Sequence, residues 1–155
     1  MLAKELMVKD VIAVHDTDTI KTLIQTLITH KIDGVPVLNR ENKLAGFISD
    51  GDILRAVSPQ PQTIYDFFTM ISAVEVEMTR DVIRSVLERE VRDLMKKRGL
   101  QTILPDQDLD AVLKILSHHH FKKIPVVDND YHVVGIISRG DVIYYIGKLA
   151  LAGIK

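Results

Sequence analysis

The sequence predicts a mixed α/β (α+β) fold built from two copies of one β-α-β-β-α unit. The first observation is an internal repeat, in which residues 35–53 (VPVLNRENKLAGFISDGDI) match residues 124–142 (IPVVDNDYHVVGIISRGDV) without a gap. Self-similarity at a fixed offset is the signature of a repeated structural unit, so we interpret the chain as two units of one fold. The second observation is that apolar spacing within each copy alternates between the strand period and the helix period.

The first half of each copy predicts a strand and then a helix. Short apolar runs come first, VIAV at 11–14 and LQTIL at 100–104. The acidic runs DTD and DQD follow them and are suited to capping a helix. From Ile20 and from Leu109, apolar residues then recur at helical spacing, which predicts a helix with one buried face in each copy.

Two further strands and a second helix complete each copy. VPVL and IPVV are β-rich, NREN and DND predict turns, and KLAGFIS and HVVGIIS predict second strands buried on both faces. Helical spacing returns after Gly51 and Gly140. Pro36 and Pro125 indicate edge positions, because proline cannot donate a hydrogen bond to a strand ladder.

These patterns divide the chain into a first repeat at 1–57, a linker with a helical insertion at 58–89, and a second repeat at 90–155. A unit this small buries too little surface to be more than marginally stable alone, so we expect the two repeats to pack against each other around a pseudo-twofold axis. TRDVIRSVLEREVRDLMKKRG (79–99) predicts a single amphipathic helix ended by a glycine. Before it, Phe67, Phe68 and Met70 fit either the core or a dimer surface.

Composition excludes several classes of function. The net charge of −1 gives no electrostatic case for nucleic acid or an anionic membrane surface, and the absence of cysteine excludes disulfides and thiolate metal sites. No apolar run approaches the ~18 residues of a membrane span, and the charged N-terminus does not resemble a signal peptide, so we expect a soluble cytoplasmic protein. Catalytic motifs such as GxSxG, HExxH and the P-loop are absent, so we expect no enzyme activity.

The repeated motifs resemble a known family. The AKELM (3–7) and VRDLM (91–95) openings, the VPVL and IPVV strands, and the GxxSxxD pattern at Gly135–Asp141 resemble the cystathionine-β-synthase (CBS) domain. Two copies in one chain resemble a CBS pair, or Bateman module. The resemblance implies a cleft on each side of the pseudo-twofold axis that binds adenine nucleotides (AMP, ADP or ATP) as regulatory ligands, with no required cofactor. It also implies homodimers, often shaped as a flat disk.

In the second repeat, the resemblance assigns ribose and phosphate contacts to Ser138 and Asp141. A helix N-terminus can seat phosphate, an aspartate offers two acceptor oxygens to a ribose cis-diol, and Arg139 can meet phosphate through a forked contact. The resemblance assigns adenine contacts to Thr102 and to the residues at the strand proline, namely Lys123, Ile124 and Pro125.

In the first repeat, the corresponding candidate residues depart from the family pattern. They are Ala13, Gly34, Val35, Pro36, Ser49 and Asp52. Ala13 replaces the usual threonine, and Asp50 stands where the second repeat has Arg139, which places an anion near a phosphate position. We therefore expect tighter nucleotide binding in the Asp141 cleft. The Asp52 cleft would be empty or would take a less anionic ligand such as an adenosyl thioether.

Two other interpretations remain open. The Ser/Asp pairs can be helix caps alone, which would make the chain a ligand-independent dimerisation module. The ligand can also be another adenosyl compound, such as S-adenosylmethionine or a cyclic dinucleotide. A regulated target would be a separate polypeptide. The run His118–His120 predicts a solvated helix end and no metal site, because consecutive helix positions point in different directions.

Overall fold

The computed structural model describes residues 1–58, 72–118 and 121–153, with the backbone alone described at 72–79. The helices are α1 (Ala3–Leu6), α2 (Ile20–His30), α3 (Asp50–Val57), α4 (Ser72–Glu88), α5 (Val91–Leu94), α6 (Leu109–Leu116) and α7 (Arg139–Leu151). The strands are β1 (Val14–His15), β2 (Gly34–Leu38), β3 (Leu44–Ser49), β4 (Lys123–Val127) and β5 (Val133–Ser138). Phe67, Phe68, Met70, His119 and His120 lie outside the described residues.

The β-α-β-β-α order of each repeat is confirmed. The first repeat has β1, α2, β2, β3 and α3, and its strands form a sheet in the order β1-β2-β3. The second repeat has α6, β4, β5 and α7, and its opening run contributes one parallel bridge between Ile103 and Val126. The helix caps lie at equivalent positions: Thr19 accepts from the N–H of Thr22, and Asp108 accepts from the N–H of Ala111.

The chain forms two compact units whose boundaries differ from those of the repeats. One unit contains Met1–Ala13, Leu38–Leu44 and Arg98–Lys155, and the other contains Val14–Val37 and Ala45–Lys97. The opening segment of each repeat therefore belongs with the other repeat. The repeat boundaries and the pseudo-twofold arrangement stay predictions.

Backbone hydrogen bonds explain this exchange of opening segments. In the unit that holds the second repeat, Val8 and Ile136 each donate their backbone N–H to the carbonyl of the other, at 2.9 and 3.0 Å. In the other unit, Phe47 and Lys96 do the same, at 3.0 and 2.9 Å. Each opening segment thus satisfies backbone groups along the free side of β5 or β3, which would otherwise be an unpaired edge.

The edge-position prediction for the two prolines is wrong. Pro36 lies in β2, the middle strand of its sheet, and Pro125 lies in β4 between β5 and the Ile103 bridge. Pro125 is opposite Ile136, whose own N–H and C=O both bond to Val8, so β5 requires no N–H from Pro125. A proline is tolerated here because the ladder has no bond at that position.

The second strands are also less buried than expected. Residues of β3 alternate between buried and half-buried, and β5 becomes fully buried only at Gly135 and Ile137. One face of each strand therefore packs on a core while the other is partly accessible, as in a two-layer α/β unit.

The single helix predicted for 79–99 is wrong. Helix α4 ends at Glu88, and a separate turn, α5, begins at Val91 after Glu90 takes the extended conformation of an N-cap. The break is tertiary in origin, because the N–H groups of Val91 and Arg92 donate to the carbonyls of Asp18 and Asp16 at 2.8 and 3.0 Å. These bonds replace the helical bonds that a continuous helix would make.

No described helix is long and apolar enough to cross a membrane.

Candidate functional site

The turn between β5 and α7 brings Ser138 and Asp141 together. The Asp141 Oδ2 atom accepts from the Ser138 N–H at 2.7 Å and from the Ser138 hydroxyl at 2.9 Å. The Asp141 N–H in turn donates to the Ser138 Oγ at 3.2 Å, which completes a reciprocal capping box. Among the described residues, none donates a hydrogen bond to Oδ1 of this half-buried carboxylate.

The strand pairing places Lys123 opposite Ser138 at this turn and places Thr102 on the other side of β4. Lys123 pairs with Ser138 and Ile124 pairs with Ile137 across the antiparallel strands. Ile103 donates its N–H to the Pro125 carbonyl at 3.2 Å, so the half-buried Thr102 lies one residue ahead of a bridge to β4. Ile124 as a whole residue is 0% exposed, so it offers a ligand no accessible group, and its predicted adenine contact stays a prediction.

Arg139 has a structural role that the sequence did not indicate. Its Nε donates to the Phe121 carbonyl at 2.9 Å, and its Nη2 donates to the His118 carbonyl at 2.7 Å. Its backbone N–H donates to the Lys122 carbonyl at 3.0 Å. The guanidinium thus satisfies carbonyls that follow α6 and precede β4, where helix-terminal carbonyls need partners. The phosphate contact stays a prediction, and it would have to use Nη1 or replace one of these bonds.

In the turn between β3 and α3, the aspartate makes the same two contacts with its serine. The Asp52 Oδ2 atom accepts from the Ser49 N–H at 2.9 Å and from the Ser49 hydroxyl at 3.3 Å. Here the other carboxylate oxygen is occupied, because the Nη2 atom of Arg55 lies 2.6 Å from Asp52 Oδ1. Sequence reasoning missed Arg55. The signal was an aspartate and an arginine three residues apart on one helix, a spacing at which side chains meet.

The remaining candidate residues of the first repeat are mostly buried. Val35 is 0% exposed and Pro36 is also fully buried. A Cβ added at Gly34 would lie 3.2 Å from the Ser49 Cβ and from the Ile48 carbonyl oxygen, so a larger residue here would push β2 away from the end of β3 by a few tenths of an ångström. Ala13 lies directly ahead of β1 and is half-buried.

A groove between α6 and α7 is a feature that the sequence did not predict. It has a volume of about 460 Å³ and is lined by Leu113, Leu116, Ser117, Arg139, Val142, Ile143 and Ile146. Ile143 is 66% exposed and Ile146 is 46% exposed, although both are large apolar residues. The groove therefore presents apolar surface next to the Ser138–Asp141 turn.

Asp128, Asp130 and His132 in the β4–β5 turn form a cluster of possible metal ligands, with their ligand atoms within 4.8 Å of one another. The Asp128 carboxylate accepts the N–H groups of His132 and Asp130, both at 2.9 Å. The His132 N–H bond in particular lowers the pKa of Asp128, since it favours the charged form. These bonds shape the turn, so the carboxylate has a structural role there.

The family model of the CBS domain matches residues 3–59 and 91–148. The chain belongs to the CBS-domain family. It carries two copies of the domain, so it is a CBS pair. The protein MJ1426 of Methanocaldococcus jannaschii is 30% identical to it over 92% of this chain and 89% of that protein. By contrast, the chain spans 58% of the chloroplast protein CBSX1 of Arabidopsis thaliana and 23% of an inosine-5'-monophosphate dehydrogenase of M. jannaschii.

Solved structures share the fold of this CBS pair. The crystal structure of CBSX2 of Arabidopsis thaliana in complex with AMP has a TM-score of 0.71 at 22% identity and covers 99% of both chains. The CBS domain pair of MJ0100 in complex with 5'-methylthioadenosine and S-adenosyl-L-methionine has a TM-score of 0.70 at 23% identity, and covers 96% of this chain and 97% of that one.

Proposed function

We propose that this CBS pair is a regulatory module that binds an adenine nucleotide, or a related adenosyl ligand, at the Ser138–Asp141 turn. It has no catalytic role in this account. Ligand occupancy is passed to a separate partner protein through a change in conformation or association. A ligand can drive such a change only if it binds one of the two states of the protein more tightly than the other.

The observation that carries the proposal is the state of the Asp141 carboxylate. Oδ2 holds the turn through the capping box, while Oδ1 accepts no hydrogen bond from any described residue. Capping and ligand binding are therefore compatible, since a ribose hydroxyl can donate to Oδ1 while the cap stays intact. Lys123 and the N-terminus of α7 add positive potential beside it for a phosphate.

The ligands of structural neighbours support the adenosyl class. CBSX2 was crystallised with AMP, and the MJ0100 pair with 5'-methylthioadenosine and S-adenosyl-L-methionine. These ligands share adenine and ribose and differ in the group at the 5' position. Asp141 and Thr102 would recognise the shared part, and the residues at the start of α7 would meet the group that differs.

A second candidate function is homodimerisation, and it is favoured by the groove between α6 and α7. Leu113, Ile143 and Ile146 are 37%, 66% and 46% exposed, which is unusual for neighbouring large apolar side chains on one surface. A second copy of the chain would cover them. The groove and the Ser138–Asp141 turn share α7, because Arg139 lines the groove and also begins the helix that carries Asp141.

Isothermal titration calorimetry with AMP, ADP, ATP and S-adenosylmethionine tests the proposal. We expect micromolar binding of at least one of these compounds to the wild-type chain, and a loss of about tenfold or more in Asp141→Ala. Asp130→Ala is the matched control, because it removes an exposed carboxylate at the opposite end of the β4–β5 hairpin. If no adenosyl compound binds, the ligand-independent dimerisation function remains.

A further inference from the structure

Arg55 distinguishes the two strand-to-helix turns of this chain. Its Nη2 atom lies 2.6 Å from Oδ1 of Asp52. This oxygen corresponds to Oδ1 of Asp141, which accepts a hydrogen bond from no described residue. The guanidinium also extends over the start of α3, where a Cβ added at Gly51 would lie 3.2 Å from its Nη1 atom. The side chain therefore covers both the acceptor oxygen and the first helical turn.

We infer that Arg55 is a specificity-determining residue, which occupies the ribose acceptor of the first repeat and weakens adenosyl binding there. The inference rests on the proposed function, since it concerns the same kind of site in the other repeat. Of the two Asp52 oxygens, Oδ2 already accepts from Ser49 and Oδ1 accepts from Arg55. A ribose hydroxyl at this turn must therefore share Oδ1 with the guanidinium or displace it.

The second repeat lacks this contact because Tyr144 stands at the position equivalent to Arg55. Tyr144 is 68% exposed, and its ring lies 5.0 Å from the Lys148 Nζ. A phenol carries no positive charge at neutral pH and has no forked set of donors. The difference between arginine and tyrosine at these positions therefore separates an occupied acceptor from an available one.

The expected effect is moderate. The Arg55 side chain is 73% exposed, and ion pairs of exposed side chains are weak, while the Asp52 side chain is only 19% exposed, which strengthens the contact. A ligand can displace such an arginine at a penalty of roughly three- to tenfold in affinity. Arg55 thus lowers the occupancy of the first cleft without abolishing binding.

A competing role for Arg55 predicts the opposite sign. If its guanidinium served as a phosphate ligand, its removal would weaken AMP binding and leave adenosine binding unchanged. If it blocks the acceptor, its removal strengthens binding of adenosine, which has the ribose and no phosphate. Adenosine is therefore the decisive probe, and AMP is the comparison.

The experiment measures the first cleft alone, in a chain whose second cleft is disabled by Asp141→Ala. We expect the double variant Asp141→Ala/Arg55→Met to bind adenosine about three- to tenfold more tightly than Asp141→Ala. Arg55→Lys in the same background is the matched control; it keeps a cation three residues from Asp52 and should stay within about twofold of the parent. Circular dichroism establishes that each variant is folded.

The reciprocal exchange tests the inference in the second cleft. In an Asp52→Ala background, Tyr144→Arg should weaken adenosine binding by about three- to tenfold. Equal or weaker adenosine binding after Arg55→Met, or no effect of Tyr144→Arg, would overturn the inference while leaving the proposed function intact. Failure of the wild-type chain to bind any adenosyl compound would overturn the proposed function, and this inference with it.

Discussion

At the scale of single residues, two glycines permit the exchange of opening segments. A Cβ added at Gly46 would lie 2.7 Å from the Lys96 carbonyl oxygen, and one added at Gly135 would lie 2.9 Å from the Met7 Cβ. Real Cβ atoms do not approach other atoms so closely, so each glycine is required by close packing. A methionine of the opposite repeat fills the space at each glycine, which the sequence did not indicate.

Replacement of Gly46 tests this close approach. Gly46→Ala should lower the free energy of unfolding by about 1–3 kcal/mol, since the clash with a backbone carbonyl forces the segment outward. Gly147→Ala is the control: a Cβ there has no atom within 4 Å, and alanine in the interior of α7 should raise the free energy of unfolding by about 0.5–1 kcal/mol. Urea titration followed by circular dichroism measures both, and a neutral Gly46→Ala would contradict the packing argument.

Asp128 makes a pH-dependent contribution to stability. Its pKa is lowered in the folded state, chiefly by the N–H of His132, and so lies below the unfolded value of about 3.9. A group with a depressed folded pKa stabilises the protein fully above its unfolded pKa and loses that contribution as pH falls through the folded value. Asp128→Asn should therefore be less stable than wild type at pH 7, with a difference in melting temperature that closes below about pH 4. A difference that is constant with pH would contradict the assigned charge effect.

At the scale of elements, caps fix where the helices begin. Asp108 accepts the N–H of Ala111 at the start of α6, whereas Asp106, two residues earlier, pairs with Lys4 at 2.9 Å in an exposed contact. We expect Asp108→Ala to lower the free energy of unfolding by about 1 kcal/mol and Asp106→Ala to leave it nearly unchanged. Chemical denaturation of the two variants compares a cap with a surface ion pair, and equal losses would contradict the distinction.

The order of elements was predictable because apolar residues recur with different spacings in strands and helices. The same pattern of spacings also occurs in both repeats. The break between α4 and α5 was not, because it depends on Asp16 and Asp18 accepting backbone N–H groups from a segment far along the chain. Apolar spacing continues through Val86 and Val91, and both are buried, so periodicity alone gives no sign of the interruption.

Part of the candidate site was likewise predictable from the sequence and part was not. The pairing of Ser138 with Asp141 was predictable, since a three-residue spacing at a helix start dictates a capping box. The partners of Arg139 were not, because they are carbonyls brought to it by the packing of α6 and β4. Arg55 was accessible from local spacing alone, but only a comparison of both carboxylate oxygens reveals its consequence.

At the scale of the whole molecule, we expect a homodimer that depends on the α6–α7 groove. Ile143→Glu places a charge on that surface and should convert a dimer to a monomer, since burying an unpaired charge is strongly unfavourable. Leu151→Glu is the control, because Leu151 is 92% exposed at the end of α7 and does not line the groove. Light scattering after size-exclusion chromatography distinguishes the states, and a dimer that persists in Ile143→Glu would exclude this interface.

The most direct test of the central claim is a crystal structure of the chain grown with AMP. We expect a ribose hydroxyl within hydrogen-bond distance of Asp141 Oδ1 while the Ser138–Asp141 capping box stays intact. We also expect a lower occupancy of AMP beside Asp52 and Arg55. AMP bound away from the β5–α7 turn, or bound beside Asp52 alone, would contradict the account.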